Sequence, residues 1–130
     1  MVMNNELLDR LVEQAKAAPR LRMNYDLRNS AEDQSQRMLN ALEPGTVIPV
    51  HRHMKSSETV CVLRGAVRQN FYAEDGTLKE SFVIEAGSSC PMFLVPIGEW
   101  HNSEALESGT IIFESKDGPY EPQSPEDVRL

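Results

Sequence analysis

Every histidine of this 130-residue chain falls within one spacing pattern that can hold a metal ion. His51 and His53 lie two apart, Glu58 follows after four intervening residues, and His101 returns far downstream. Neutral imidazole nitrogens and carboxylate oxygens are the donors that bind divalent first-row metals. Residues i and i+2 of a strand project to the same face, so an extended segment presents His51 and His53 together. Residues 54–57 are long enough for a turn, after which Glu58 can open the next strand beside the imidazoles. His101 follows the turn-like Pro96-Ile97-Gly98-Glu99 and can close the set from a third strand. Three nitrogens and one oxygen leave open positions for water or substrate on a five- or six-coordinate ion. No other chemistry stands out. There is no Gly-rich phosphate loop before a helix and no Cys-x-x-Cys, and a Ser or Cys nucleophile would find every histidine already committed.

The elements that must position these residues are legible from periodicity. Leu7, Leu8, Leu11, Val12 and Ala15 recur at helical spacing, with Asn4 or Asn5 as the cap and Pro19 as the stop. Beyond Arg20 the pattern becomes one of short apolar, β-branched runs: 37–42, 46–53, 58–64, 67–72, 81–84, 93–95 and 110–113. Glycines at 65, 76, 87, 98 and 109 fall every eleven residues as turn punctuation, the rhythm of a β-sandwich or barrel. Glu74-Asp75-Gly76 reads as a hairpin turn, and Pro49 places a bulge or sheet edge in its strand. The expected organisation is an N-terminal helix over 1–20, an antiparallel barrel over 21–120 and a tail over 121–130 that forms an arm with no regular element. Barrels of this size fill with side chains or hold a small ligand.

Composition excludes several partners. A formal net charge of −7 and a sequence pI near 4.9 disfavour phosphate backbones, so no nucleic acid is expected. No apolar run approaches the ~20 residues of a membrane helix, no basic amphipathic stretch suits an anionic membrane surface, and the first residues carry no secretory signal pattern. Cys61 and Cys90 make no disulfide framework. They read as reduced thiols of a cytoplasmic protein, buried as small hydrophobes.

The spacing Gly45-x5-His51-x-His53-x4-Glu58-x6-Gly65 resembles the first cupin motif at every fixed position. Pro96-x-Gly98-x2-His101 resembles part of the second. Two departures stand in that second motif: eight residues separate Gly87 from Pro96 where the pattern has five, and Ala105 occupies the expected asparagine position. The longer spacing suggests a bulge or a longer strand. Residues 37–46, 51–59 and 109–120 narrow the resemblance to WbuC-type cupin-fold metalloproteins. The resemblance implies an all-β cupin, a double-stranded β-helix or jelly-roll barrel, with His51, His53, Glu58 and His101 as ligands of one divalent ion. Iron, zinc, manganese and nickel suit that set about equally. It also implies a bacterial setting of O-antigen or other surface polysaccharide synthesis.

Further residues are candidates for the pocket. Arg37 can grip a carboxylate or phosphate, and Asn40, Asn24 and Tyr120 can contact substrate. Glu114 and Lys116 share a strand face and can act as acid, base or anion anchor. Trp100 should point away from the metal by alternation. Three functions stay open: a metal-dependent isomerase or epimerase of a sugar or sugar nucleotide, an iron-dependent dioxygenase, and a non-catalytic module that binds a sugar or metal. A homodimer is expected, since sheet edges invite pairing.

Overall fold

A computed structural model describes residues 1–129. Helix α1 (Asn5–Ala17) starts where Asn4 turns its side chain onto the Leu7 amide at 3.1 Å and ends at Ala18, before Pro19. Glu6 in its first turn and Lys16 in its last complement the helix dipole. Leu11, Val12 and Ala15 form its buried stripe, and they pack on Leu39, Ala41 and Ile111 of the barrel. Helix and barrel therefore share one hydrophobic cluster.

Ten strands follow: β1 (Arg22–Asp26), β2 (Ser35–Leu42), β3 (Val50–His51), β4 (Glu58–Arg64), β5 (Ala66–Tyr72), β6 (Leu78–Glu85), β7 (Met92–Val95), β8 (Trp100–Ala105), β9 (Thr110–Asp117) and β10 (Val128–Arg129). They build two five-stranded antiparallel sheets, ordered β1-β2-β9-β4-β7 and β10-β3-β8-β5-β6. This is the double-sheet antiparallel architecture expected from the turn rhythm, and the jelly-roll that the cupin resemblance implied. Leu42, Val60, Val62 and Ile112 from the first sheet meet Val67 and Ile84 from the second in the interior cluster. Among the described residues no helix is long and apolar enough to cross a membrane.

Two backbone positions matter for the site. Gly65, at φ +72°, turns β4 into β5 with its Cα against Thr110. A Cβ there would lie 2.3 Å from the Thr110 Oγ1. Leu21, at φ 57°, is the sole described non-glycine residue with positive φ, a conformation that costs a leucine roughly 1–2 kcal/mol. It joins α1 to β1, and its carbonyl accepts the Glu43 amide at 2.9 Å.

Three expectations are corrected. The run 46–53 yields only the two-residue β3, because Pro49 has no N–H to give a ladder, and His53 lies past the strand end. The tail is not a free arm: Pro125–Asp127 make a 3-10 turn, and β10 pairs with β3 through Val128 opposite His51. Cys90 is exposed and Cys61 half-buried, and both are free. Cys90 lies outside any strand, in the turn region after β6 that takes up the extra residues between Gly87 and Pro96.

Candidate metal centre

The three imidazoles converge inside the barrel. β3 and β8 are neighbours with His51 directly opposite His101. His53 completes the group from the loop after β3. Ring centroids stand 4.2 Å apart for His51 and His101, 5.0 Å for His51 and His53, and 5.4 Å for His53 and His101. One nitrogen from each ring lies within 4.8 Å of the others.

Their hydrogen bonds select the donor atoms. His51 Nδ1–H donates to the Pro49 carbonyl at 2.8 Å, and His101 Nδ1–H donates to the Glu99 carbonyl at 2.9 Å. Each carbonyl can only accept, so the proton sits on Nδ1 and the Nε2 lone pair is left for the cavity. His53 Nε2 is buried with no hydrogen-bond partner among the described residues, 3.7 Å from Glu58 Oε2. Such an orphaned buried atom needs an explanation, and a metal ion supplies one. Lys116 Nζ approaches His53 Nδ1 at 3.4 Å. Nε2 ligation would put the proton on Nδ1, so the ammonium would then have to move away.

Electrostatics suit the same purpose. Burial lowers the His51 pKa below its usual value. Burial first, then Lys116 and the other two imidazoles, push His53 down to about 3. Burial and the nearby His51 push His101 down to about 4. All three rings are therefore neutral near pH 7, as metal ligation requires. Glu58, at the start of β4, is raised to about 8 by burial and by the Glu114 charge, with Lys116 opposing. Burial also raises Glu114, against the hydrogen bond that Asn40 donates to it. Three neutral nitrogens fit a first-row divalent metal; the Glu58 carboxylate is not among the clustered ligand atoms and approaches only His53, at 3.7 Å.

The histidines open onto a cavity of about 330 Å³, at the small end of ligand-binding volumes. Asn40 from β2, Glu58 from β4 and Glu114 and Lys116 from β9 line it, as do Asn24 and the largely exposed Tyr120. Leu42, Ile48, Val60, Phe93 and Ile112 form its apolar wall. Arg37 does not join them. Gln36, Met38, Asn40 and Leu42 are the cavity-lining residues of β2, so alternation turns Arg37 to the opposite face, where it pairs with Asp33 at 3.0 Å. Two residues not singled out from the sequence, Arg20 and Arg22, line the cavity instead. The available signal was the two-residue spacing of Arg22 from Asn24. Trp100 points away from the histidines. It is buried, its indole N–H donates to Glu74 at 2.9 Å, and the guanidinium groups of Arg52 and Arg129 stack on it at 4.6 Å and 3.8 Å.

Solved structures share this architecture. Oxalate oxidase in complex with the substrate analogue glycolate aligns with a TM-score of 0.63 at 19% identity, over 79% of this chain and 54% of that one. The capsular polysaccharide assembling protein CapF from Staphylococcus aureus aligns with a TM-score of 0.63 at 19% identity, over 82% of this chain and 29% of that one. The cupin domain of Cnp3 from Schizosaccharomyces pombe gives a TM-score of 0.60 at 14% identity, over 75% and 64%. At these identities the likeness is one of fold, and the fold is the cupin barrel. The chain spans about half the length of the oxalate oxidase and under a third of CapF. No curated protein matches it. The family described as "Domain of unknown function (DUF6016)" matches residues 3–84, and the chain belongs to that family.

Proposed function

We propose that this protein is a divalent-metal cupin that isomerises or epimerises a small sugar-related substrate in bacterial surface-polysaccharide synthesis. The convergence of three imidazole nitrogens, one of them buried and otherwise unbonded, carries the metal reading. The pattern resemblance to WbuC-type proteins and the fold shared with a capsular polysaccharide assembling protein support the setting. His51, His53 and His101 would hold the ion, with Glu58 as the carboxylate ligand. A bound ion supplies Lewis acidity at a carbonyl or hydroxyl pair and orients it. Burial raises the Glu114 pKa while the hydrogen bond from Asn40 opposes the rise and holds the carboxyl in place, so Glu114 is the group to exchange a proton with substrate. Lys116, two residues along the same face, supplies a neighbouring positive charge. Asn24 and Tyr120 contact the substrate from the rim, and the apolar wall excludes water.

The setting proposed is cytoplasmic, in keeping with two free thiols. The assembly proposed is a homodimer. Its support is the outer face of the first sheet, where Leu63, Met92 and Leu94 are exposed beside Cys61 and Phe113.

Metal analysis of protein purified without chelators tests the central claim. The expected result is about one ion per chain, with His53→Ala losing at least tenfold in metal affinity, a cost of about 1.4 kcal/mol or more. Undiminished affinity in that variant rejects the ligand assignment. Turnover assays on sugar nucleotides, with Glu114→Gln as the impaired variant, test the reaction. Oxygen uptake with substrate would turn the reading toward a dioxygenase. Ligand binding unaffected by Glu114→Gln, without turnover, would turn it toward a binding module.

A further inference from the structure

The cations of this acidic chain are partnered unevenly. Nine of its thirteen arginine and lysine side chains stand at ion-pair distance from a carboxylate. Among the described residues four do not: Arg20, Arg22, Lys116 and Arg129. Arg129 is otherwise engaged, since it donates to the Ala73 and Glu74 carbonyls and stacks on Trp100. The other three all line the cavity that holds the histidines.

Arg20 is exposed and Arg22 half-buried, which puts them at the solvent end of that cavity. Arg22 gives one N–H to the Val47 carbonyl at 3.3 Å, and a guanidinium has five to give. The Arg20 side chain makes no hydrogen bond among the described residues. Their backbone, by contrast, is tied down. The Arg20 carbonyl accepts the Thr46 hydroxyl at 2.7 Å, the Leu21 carbonyl accepts the Glu43 amide at 2.9 Å, and Leu21 between them is held in the left-handed region. Backbone strain of that kind persists where the surroundings over-determine it, and it concentrates at ligand clamps. Asn24 and Asn40 add amide groups between the arginines and Glu114.

A guanidinium without a protein carboxylate matches a planar carboxylate or a phosphate with paired N–H donors. We propose that Arg20 and Arg22 form an anion subsite, so that the ligand of this cavity is a small polar molecule bearing a carboxylate or phosphate group. The polar remainder then faces the histidines. That last placement rests on the metal-cupin reading, whereas the anion subsite does not.

The test uses the full chain, with and without zinc, and follows the arginine Nε–H signals by NMR during titration with inorganic phosphate and, separately, with acetate. Saturable shifts at Arg20 and Arg22, but not at Arg28 or Arg37, are expected for at least one anion, and the anion that acts identifies the group. The R20Q/R22Q double variant should bind that anion about tenfold more weakly or worse while zinc content stays unchanged. No saturable response at either arginine with either anion overturns the proposal, as does undiminished binding in the double variant. Should the parent take up no zinc and its arginines still respond, the metal reading fails and the anion subsite stands.

Discussion

Glu58 is the residue whose protonation couples most directly to metal binding. Its carboxyl is pushed up to about 8 by burial and by Glu114, while His53 and His101 are pushed down to about 3 and about 4. The imidazoles are therefore ready as ligands at neutral pH, and Glu58 must release a proton to join them. Binding that expels a proton strengthens as pH rises, so zinc affinity should climb toward the Glu58 value and level off above it. Competition titrations on either side of that pH measure this, and Glu58→Gln should flatten the rise as well as weaken binding. A parent protein whose affinity ignores pH across that interval would exclude Glu58 as a ligand. The histidines themselves were readable because spacing along a strand dictates direction. The same rule, applied strictly, separates Arg37 from Asn40, since three positions along one strand cannot share a face. Arg22 was within reach of the same rule through its two-residue spacing from Asn24, whereas Arg20 was hidden because the left-handed turn at Leu21 leaves no trace in residue type.

Among the elements, the β4–β5 corner is the least tolerant of change. Gly65→Ala puts a methyl 2.3 Å from Thr110 Oγ1 and 3.0 Å from its Cα, at φ +72°. Thr110 is fully buried and bonded to the Glu107 carbonyl, so it has no room to yield. Left-handed strain and overpacking together predict a loss of about 2 to 4 kcal/mol, visible as a lower denaturation midpoint at unchanged slope. The tail is a second element with leverage on the site. β10 pairs with β3, Asp127 bonds Arg52 through its side chain at 2.8 Å and its carbonyl at 3.0 Å, and Gln123 reaches the Arg52 carbonyl at 2.8 Å. Arg52 sits between His51 and His53. Ending the chain after Ser124 should therefore weaken zinc binding as well as lower stability by roughly 1–3 kcal/mol. Equal zinc affinity in the shortened chain would show that β3 holds its shape unaided. Turn punctuation made most strands legible, yet this return was not, because a stretch rich in proline and acid gives no alternating pattern.

For the whole molecule, the outer faces of the two sheets differ. Helix α1 covers one part of the first sheet, and beside it Leu63, Met92 and Leu94 stay exposed. If this face pairs two copies, sedimentation should give a dimer, and Leu94→Asp should shift the population toward monomer by about tenfold or more in dissociation constant. A parent that stays monomeric at high concentration would leave the face without that role. Fold class was legible at this scale from the glycine rhythm and the apolar runs, whereas the pairing of copies leaves no comparable periodic signature.

The chain owns a single tryptophan, and it occupies a telling position. Trp100 precedes His101, while its ring is clasped by Arg52 from the histidine loop and Arg129 from the last strand. Detachment of that strand takes Arg129 off the ring, so the intrinsic emission of this protein doubles as a built-in gauge of whether its tail is docked.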